Sequence, residues 1–257
     1  MTASQTSVSL ATAAGVVTVS WIGQDGTENA AAASPRLLHE HFHRARPSRA
    51  GVQYQNRLNR HSRQFVASQG AHVWCESALE AETLLWLDFV GDIRHIASQP
   101  MKIKFADGSN HVPDFFAVLH NDDQVVYDVK PSGRMTAVAL EQFSKTAEVC
   151  TLVGWRHEVI HEVNPVKIRN LEWLRAARHS RSHPGPDELA RLALAFATPR
   201  SFRDGALAAD LRRPYLAAAH IRHFLWHGYL HTDFESNITE SSIVESANKE
   251  KPCNCGA

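Results

Sequence analysis

Long apolar runs are missing from this 257-residue sequence, and none approaches the roughly 18 residues of a membrane-spanning helix. The first residues also lack the basic and apolar segments of a secretory signal. Cysteine is scarce, and Cys75, Cys150, Cys253 and Cys255 form no disulfide framework. Cys253 and Cys255 could supply half of a zinc site, but no second pair at ligand spacing accompanies them. We therefore expect a cytoplasmic protein without a membrane span.

An excess of charge of either sign is also absent, because 27 basic residues balance 27 acidic ones. The distribution along the chain is nevertheless uneven. Residues 36–63 contain seven arginines and one acid, and residues 167–181 contain five basic residues and one acid. Such basic stretches suit a polyanion such as nucleic acid, although a solvated surface is the alternative interpretation for each of them.

Hydrophobic periodicity predicts an α/β fold whose core occupies residues 71–165. The core has the predicted element order α-β-β-β-α-β. The predicted elements are a helix over 76–89, an irregular strand over 93–105 that breaks at Gln99-Pro100, strands over 112–119 and 124–130, a helix over 136–149, and a strand over 155–163.

Different patterns flank this core on both sides. Residues 1–70 are interpreted as a basic N-terminal extension, disordered at 1–14, with one strand or hairpin near 16–22. Residues 166–234 are interpreted as a linker and a small α domain that resembles a winged helix. Its predicted helices cover 187–197, 201–211 and 214–227, and a short strand covers 228–231. The polar residues 235–257 are expected to form a disordered tail.

Charged residues at two adjoining strand ends point to a chemical function. Asp114 follows Pro113 at the start of one strand, and Asp128 and Lys130 lie at the end of the next. Side chains two apart on a strand share a face, and a turn centred near Asp122 would pair Asp114 with Lys130. Converging carboxylates can hold a hard cation for phosphodiester hydrolysis, with a lysine to stabilise charge. A structural Asp–Lys pair is the alternative interpretation.

A further carboxylate can come from the first predicted helix. Glu76 and Glu80 share a helix face, and a metal ion would offset their mutual repulsion. Ser77 and Glu80 also have the spacing of a capping box, in which Glu80 would only close the helix N-terminus. The sequence leaves open both roles of Glu80, and it leaves Glu76 as a rival ligand.

These residues resemble the active site of the PD-(D/E)xK restriction-endonuclease-like nucleases. Over residues 72–165 the surrounding segments are more specifically similar to the TnsA-type transposase endonucleases, and the C-terminal part is compatible with the same family. The segments that carry the resemblance are Glu76-Ser77-Ala78-Leu79-Glu80, Leu87-Asp88-Phe89, Ile96-Ala97-Ser98-Gln99-Pro100, His111-Val112-Pro113-Asp114 and Asp128-Val129-Lys130.

The resemblance implies a magnesium-dependent DNA endonuclease subunit, with manganese as a substitute metal. It implies cleavage of the 5′ strand at the transposon ends of double-stranded DNA, beside a DDE-type transposase partner and an AAA+ ATPase regulator. Glu80, Asp114 and Lys130 match the catalytic Glu, Asp and Lys. Asp128 lies two residues before the lysine and counts as a fourth catalytic residue. The expected metal ligands are the carboxylates of Glu80, Asp114 and Asp128 and the carbonyl of Val129.

Other functions stay open at this point. A stand-alone repair or restriction nuclease would use the same residues. A catalytically idle assembly subunit would bind DNA and protein without cutting, and the intact set of site residues argues against it. A DNA-binding regulator would read bases with the third C-terminal helix, which is too apolar for that role. Gln99 matches a recurrent glutamine of the family, and it is either near the site or a polar residue at a strand edge.

Overall fold

The computed structural model describes residues 15–48, 62–90 and 92–247, which form a mixed α/β protein with several small sheets. The predicted disorder at 1–14, the arginines between 49 and 61, and the cysteines at 253 and 255 lie outside these residues. The strands are β1 (Thr18–Ile22), β2 (Glu28–Ala32), β3 (Ser62–Val66), β4 (Ala71–Cys75), β5 (Ile93–Ser98), β6 (Lys102–Lys104), β7 (Asn110–His111), β8 (Phe115–Leu119), β9 (Gln124–Val129), β10 (Arg156–Ile160), β11 (Arg200–Ser201), β12 (Leu230–His231) and β13 (Ile243–Ser246). The helices are α1 (Ala78–Val90), α2 (Ala137–Val153), α3 (Pro165–Leu174), α4 (Pro186–Ala195), α5 (Phe202–Ala209) and α6 (Pro214–Trp226). None of these helices combines the length and the apolar character needed to cross a membrane.

The central sheet has the strand order β10-β9-β8-β5. β8 is antiparallel to both β5 and β9, whereas β10 runs parallel to β9 after the crossover helix α2. Helix α1, strands β5, β8 and β9, helix α2 and strand β10 follow one another in the predicted order, with β6 and β7 inserted. Strand β8 is buried along its whole length, because both faces of this sheet are covered.

The chain leaves the central sheet at Gln99-Pro100. Strand β5 ends at Ser98, and β6 pairs instead with β1 in a second sheet of order β2-β1-β6-β7. Gln99 has a φ of +47°, in the left-handed region, and this turns the chain between the two sheets. The single irregular strand predicted over 93–105 is therefore two strands in two sheets.

The described N-terminal residues complete one face of the central sheet. Hairpin β1–β2 belongs to the second sheet, and the following short 3-10 helices bring Phe42 into the interior. Phe42 is fully buried, with its ring 5.5 Å from Phe116 and 5.3 Å from Trp155 between centroids. Residues 15–48 are thus part of the core and not an extension beside it, because the core buries their apolar side chains.

Helix α1 lies between the central sheet and the C-terminal helices. Leu84 and Leu87 pack with the sheet residue Phe115 and the hairpin β3–β4. Leu85 and Phe89, on another side of α1, pack with the C-terminal helices. The helix is apolar around most of its circumference because it is covered from both directions.

The C-terminal unit has the element order α4-β11-α5-α6-β12-β13, and its strands pair in the order β11-β13-β12. Strand β13 falls within the residues expected to be disordered, so that expectation is wrong for 235–247. Val244 is fully buried there, and the Ser246 hydroxyl donates a hydrogen bond to the Phe196 carbonyl (3.0 Å). A strand of four residues in a polar surrounding has too weak a pattern to be detected from sequence.

Most basic side chains of the second basic stretch form contacts within the protein. The stretch forms helix α3, which the sequence did not predict, and the 3-10 turn after it. Arg178 is buried, and its guanidinium donates to the Phe65 carbonyl and lies 3.9 Å from the Asp88 carboxylate. Lys167 and Arg175 form surface ion pairs, which leaves few of these charges for a polyanion. Those pairs are Lys167–Glu235 and Arg175–Glu172.

Candidate active site

The predicted site residues lie at one end of the β8–β9 hairpin. Phe115 pairs with Tyr127, and extending this register by one residue places Asp114 beside Asp128. The predicted pairing of Asp114 with Lys130 is therefore wrong by two residues. Lys130 lies beyond the paired part of the hairpin, where its N–H donates to the Ile160 carbonyl of β10 (3.0 Å).

The position of the turn explains this shift. The Leu119 N–H donates to the Asp123 carbonyl (2.8 Å), and the Asp122 N–H donates to the Leu119 carbonyl (3.1 Å). Asp122 takes the left-handed φ of +69° that such a tight turn requires. The hairpin is therefore centred one residue earlier than Asp122. Moving the centre of an antiparallel hairpin by one residue shifts every cross-strand pair by two residues.

Asp114 lies in a concentration of negative charge. Burial raises the pKa of the Asp114 carboxyl well above its ordinary value, and the carboxylates of Asp128 and Glu80 raise it further. Its Oδ2 atom accepts the N–H of Val129 at 2.7 Å. Asp128 and Glu80 are therefore both within electrostatic reach of Asp114 at this end of the sheet.

Glu80 closes the N-terminus of α1 as a capping box. Its Oε1 accepts the Ser77 hydroxyl at 2.8 Å, and its Oε2 accepts the Glu76 N–H at 2.7 Å. The Glu80 N–H donates in return to the Ser77 hydroxyl at 3.1 Å. The capping interpretation of Ser77 and Glu80 is confirmed, and the carboxylate of Glu80 is buried at the edge of the site.

Asp128 is held by two histidines. Its Oδ1 lies 2.7 Å from Nε2 of His111, and its Oδ2 lies 2.8 Å from Nε2 of His157. The side chain is only 1% exposed. Burial alone would raise the pKa of Asp128, but the hydrogen bonds from His111 and His157 outweigh it and lower the pKa below the ordinary value.

Lys130 is partly buried and follows directly after β9. Its carbonyl lies 2.7 Å from Nδ1 of His161, so the backbone is fixed on both sides of the residue. In residues 15–48, 62–90 and 92–247, the Lys130 ammonium group forms no ion pair with a carboxylate. The amine can therefore reach a bound anion without first breaking a salt bridge.

Gln99 lies beside Asp114 in a strained conformation. The Gln99 N–H donates to the Asp114 carbonyl at 2.9 Å, and the Gln99 carbonyl accepts the Ser48 N–H at 2.7 Å. The side chain is buried, and its Oε1 atom has no hydrogen-bond partner among the described residues. A non-glycine residue in the left-handed region next to an unsatisfied polar atom is a combination that often marks a functional site.

The donor atoms suit a hard divalent cation, although no set of three ligands is already assembled. Magnesium prefers oxygen ligands and is usually bound by one or two carboxylates together with substrate phosphates. A cation at Asp114 and Glu80 would relieve the repulsion that raises the pKa of Asp114. Within the described part of the chain, no group of three or more His, Cys, Asp or Glu side chains is arranged to hold a metal ion.

Sequence reasoning missed His111 and His157. His111 occupies the short strand β7, and His157 lies on β10. Neither belongs to a recognisable metal or triad motif, and the two are 46 residues apart in the chain. The only available signal is that a buried, charged Asp128 in an apolar strand requires polar partners from neighbouring strands.

Known proteins add no further constraint on this site. No protein-family model matches the chain, and no curated protein matches it.

Proposed function

We propose that this chain is a metal-dependent DNA endonuclease whose reaction centre is at Asp114. The observation that carries this proposal is the cluster of carboxylates around Asp114, with Lys130 beyond the end of the adjoining strand. Burial and, after it, the repulsion from Asp128 and Glu80 raise the pKa of Asp114, so the ionised cluster is costly in the absence of a cation. Such a cost is typical of functional sites and is unusual for a purely structural hairpin end.

The more specific proposal is a TnsA-type subunit of a heteromeric transposase that cuts the 5′ strand at transposon ends. Its partners would be a DDE-type transposase and an AAA+ ATPase regulator. The similar segments over residues 72–165 support it, and so does the helix and strand order from α1 to β10. The order α4-β11-α5-α6-β12-β13 is that of a winged helix, which supports a nucleic-acid or protein contact in the C-terminal unit.

Each site residue then has a chemical task. Asp114 and Glu80 would hold magnesium, which polarises the phosphate and lowers the pKa of the attacking water when bound. Lys130 stabilises the charge that develops on the phosphate and orients the water. The hydrogen bond from the Val129 N–H to Oδ2 restrains the Asp114 carboxylate.

Nicking of a supercoiled plasmid carrying transposon ends tests the proposal. We expect wild-type protein to nick the plasmid when Mg²⁺ or Mn²⁺ is present and not when a chelator is added. The assay is run once with a partner transposase and once without it. Lys130→Ala should lower the rate about a hundredfold, because the developing charge loses its cation. Lys104→Ala, which changes an exposed lysine on β6, is the matched control. Equal rates for Lys130→Ala and wild type would exclude this role of Lys130.

A catalytically idle assembly subunit is the second candidate. It is favoured by the two carboxylates that already have hydrogen-bond partners, Glu80 in its capping box and Asp128 between its histidines. This candidate predicts DNA or partner binding without nicking under any metal condition. The plasmid assay, run beside a binding assay on the same DNA, distinguishes the two.

The two roles of Glu80 can be separated with one pair of variants. Gln preserves the hydrogen bonds of a capping box, so Glu80→Gln should keep its unfolding free energy within about 0.5 kcal/mol of wild type. It should nevertheless lose most of the metal-dependent nicking, since a negative ligand is removed. Glu80→Ala should lose the metal-dependent nicking and also about 1 kcal/mol of unfolding free energy, because the helix cap is removed. Full activity in Glu80→Gln would show that Glu80 is only a cap.

A further inference from the structure

The strongest unassigned feature of the molecule is the network of His111, Asp128 and His157. Each carboxylate oxygen of Asp128 receives one imidazole nitrogen, at 2.7 and 2.8 Å. The side chains are 10%, 1% and 6% exposed in the order His111, Asp128, His157. The network is therefore a closed group of hydrogen bonds with almost no access to solvent.

The network joins the two large sheets. His111 is on β7 in the sheet that contains the N-terminal hairpin, whereas Asp128 and His157 are on β9 and β10 of the central sheet. The Phe143 ring of α2 lies against both imidazoles, with centroids 6.1 Å from His111 and 6.2 Å from His157. Three strands and one helix thus enclose the Asp128 carboxylate.

Such an enclosed carboxylate is poorly suited to bind magnesium. Magnesium dehydrates reluctantly and usually keeps several of its waters, so its ligands must face an open space. Both carboxylate oxygens of Asp128 are hydrogen-bonded to imidazoles instead. Asp114 differs, because it is partly exposed and its described hydrogen bond involves only Oδ2.

We infer that Asp128 is a positioning residue and not a metal ligand, and that His111 and His157 hold it in this role. The inference rests on the proposed endonuclease function and revises its expected ligand set. Asp128 fixes the end of β9 against both sheets. The next two residues then deliver the Val129 N–H to Asp114 and place Lys130 directly after the end of β9.

Direct metal binding tests the inference with Mn²⁺ as the probe, by titration calorimetry of the purified chain without DNA. Asp114→Asn should weaken Mn²⁺ binding by roughly tenfold or more, as loss of a ligand does. Asp128→Asn removes no ligand, so it should weaken Mn²⁺ binding clearly less than Asp114→Asn does, and it should lower the melting temperature. Equal losses of Mn²⁺ affinity in the two variants would overturn the inference.

A second pair of variants detects positioning, which a merely structural role would not produce. His157→Gln keeps an N–H donor toward Asp128, whereas His157→Leu removes it. We expect His157→Leu to lower kcat for nicking without moving the Mn²⁺ concentration at half-maximal rate, and His157→Gln to restore part of kcat. A shift of that Mn²⁺ midpoint in His157→Leu would count against positioning.

Failure of the proposed function gives a different pattern. Wild-type protein that binds Mn²⁺ but does not nick DNA would exclude the endonuclease function. The calorimetry would still decide whether Asp128 is a metal ligand. Wild-type protein that binds no Mn²⁺ at millimolar concentration would overturn both.

Discussion

Asp114→Asn is expected to lower metal-dependent nicking about a thousandfold and to stabilise the metal-free protein. The activity falls because the central carboxylate of the cluster is lost. The stability rises because wild-type folding places a partly buried carboxylate close to the negative charges of Asp128 and Glu80, whereas Asn keeps an oxygen that can accept the Val129 N–H. Gain of stability with loss of activity is the expected behaviour of a strained functional site.

The pH dependence of this effect has a definite sign. The pKa of Asp114 is higher in the folded protein than in the unfolded chain, so the unfolded chain binds fewer protons between these two pKa values. The stability of wild type relative to Asp114→Asn therefore falls as the pH rises through that window, and it is regained below the ordinary pKa of an aspartate. Melting temperatures with a chelator at acidic and at neutral pH measure this difference.

Asp123→Asn, in the exposed turn of the same hairpin, is the control for the loss of one carboxylate. It should change neither nicking nor the pH dependence of the melting temperature. Added Mn²⁺ should stabilise wild type and leave Asp114→Asn almost unchanged, because a ligand stabilises only the state that binds it. An Asp114→Asn protein that is less stable than wild type at neutral pH would show that the Asp114 carboxylate does not destabilise the metal-free protein.

Arg178→Ala is expected to cost about 3–5 kcal/mol of unfolding free energy, the range for breaking a buried ion pair. The variant leaves the buried Asp88 carboxylate without the Arg178 cation and the Phe65 carbonyl without the guanidinium donor. Asp88 keeps its bonds from the Ala67 and Ser68 N–H groups, so the β3–β4 hairpin stays attached to α1. The loss therefore falls on the contact between the central core and the C-terminal unit.

Urea unfolding followed by tryptophan fluorescence measures this cost. Arg175→Ala is a close control, because Arg175 lies three residues earlier and forms an exposed ion pair with Glu172. Exposed pairs contribute about 0.2–1 kcal/mol, so the control should be only slightly destabilised. Similar costs for the two variants would show that the buried position of Arg178 adds nothing.

The elements of the central sheet could be predicted because their apolar residues follow simple periods. Strands β8 and β9 are almost wholly apolar runs bounded by turn residues, and α1 and α2 carry helical spacing. The register of the hairpin could not be predicted, since it depends on one residue, Asp122, taking a left-handed conformation. A shift of one residue in the turn was enough to assign Asp114 to the wrong neighbour.

The site could be predicted only in part for a related reason. Asp114, Asp128 and Glu80 lie close in the chain to recognisable patterns, so their proximity follows from local structure. The partners of Asp128 come from β7 and β10, which lie in different sheets. Contacts of that kind depend on how the chain crosses at Gln99 from one sheet to the other, and this crossing leaves no periodic trace in the sequence.

The place of β1 in the second sheet determines where this protein can be divided. β1 lies between β2 and β6, so a fragment that begins at residue 71 would uncover one whole side of β6. It would also remove Phe42 from the interior. An uncovered strand edge beside an unfilled apolar cavity is a template for association with other chains. Expression of the α1–β10 part alone therefore requires residues 15–48, and a fragment that begins at residue 71 is expected to aggregate.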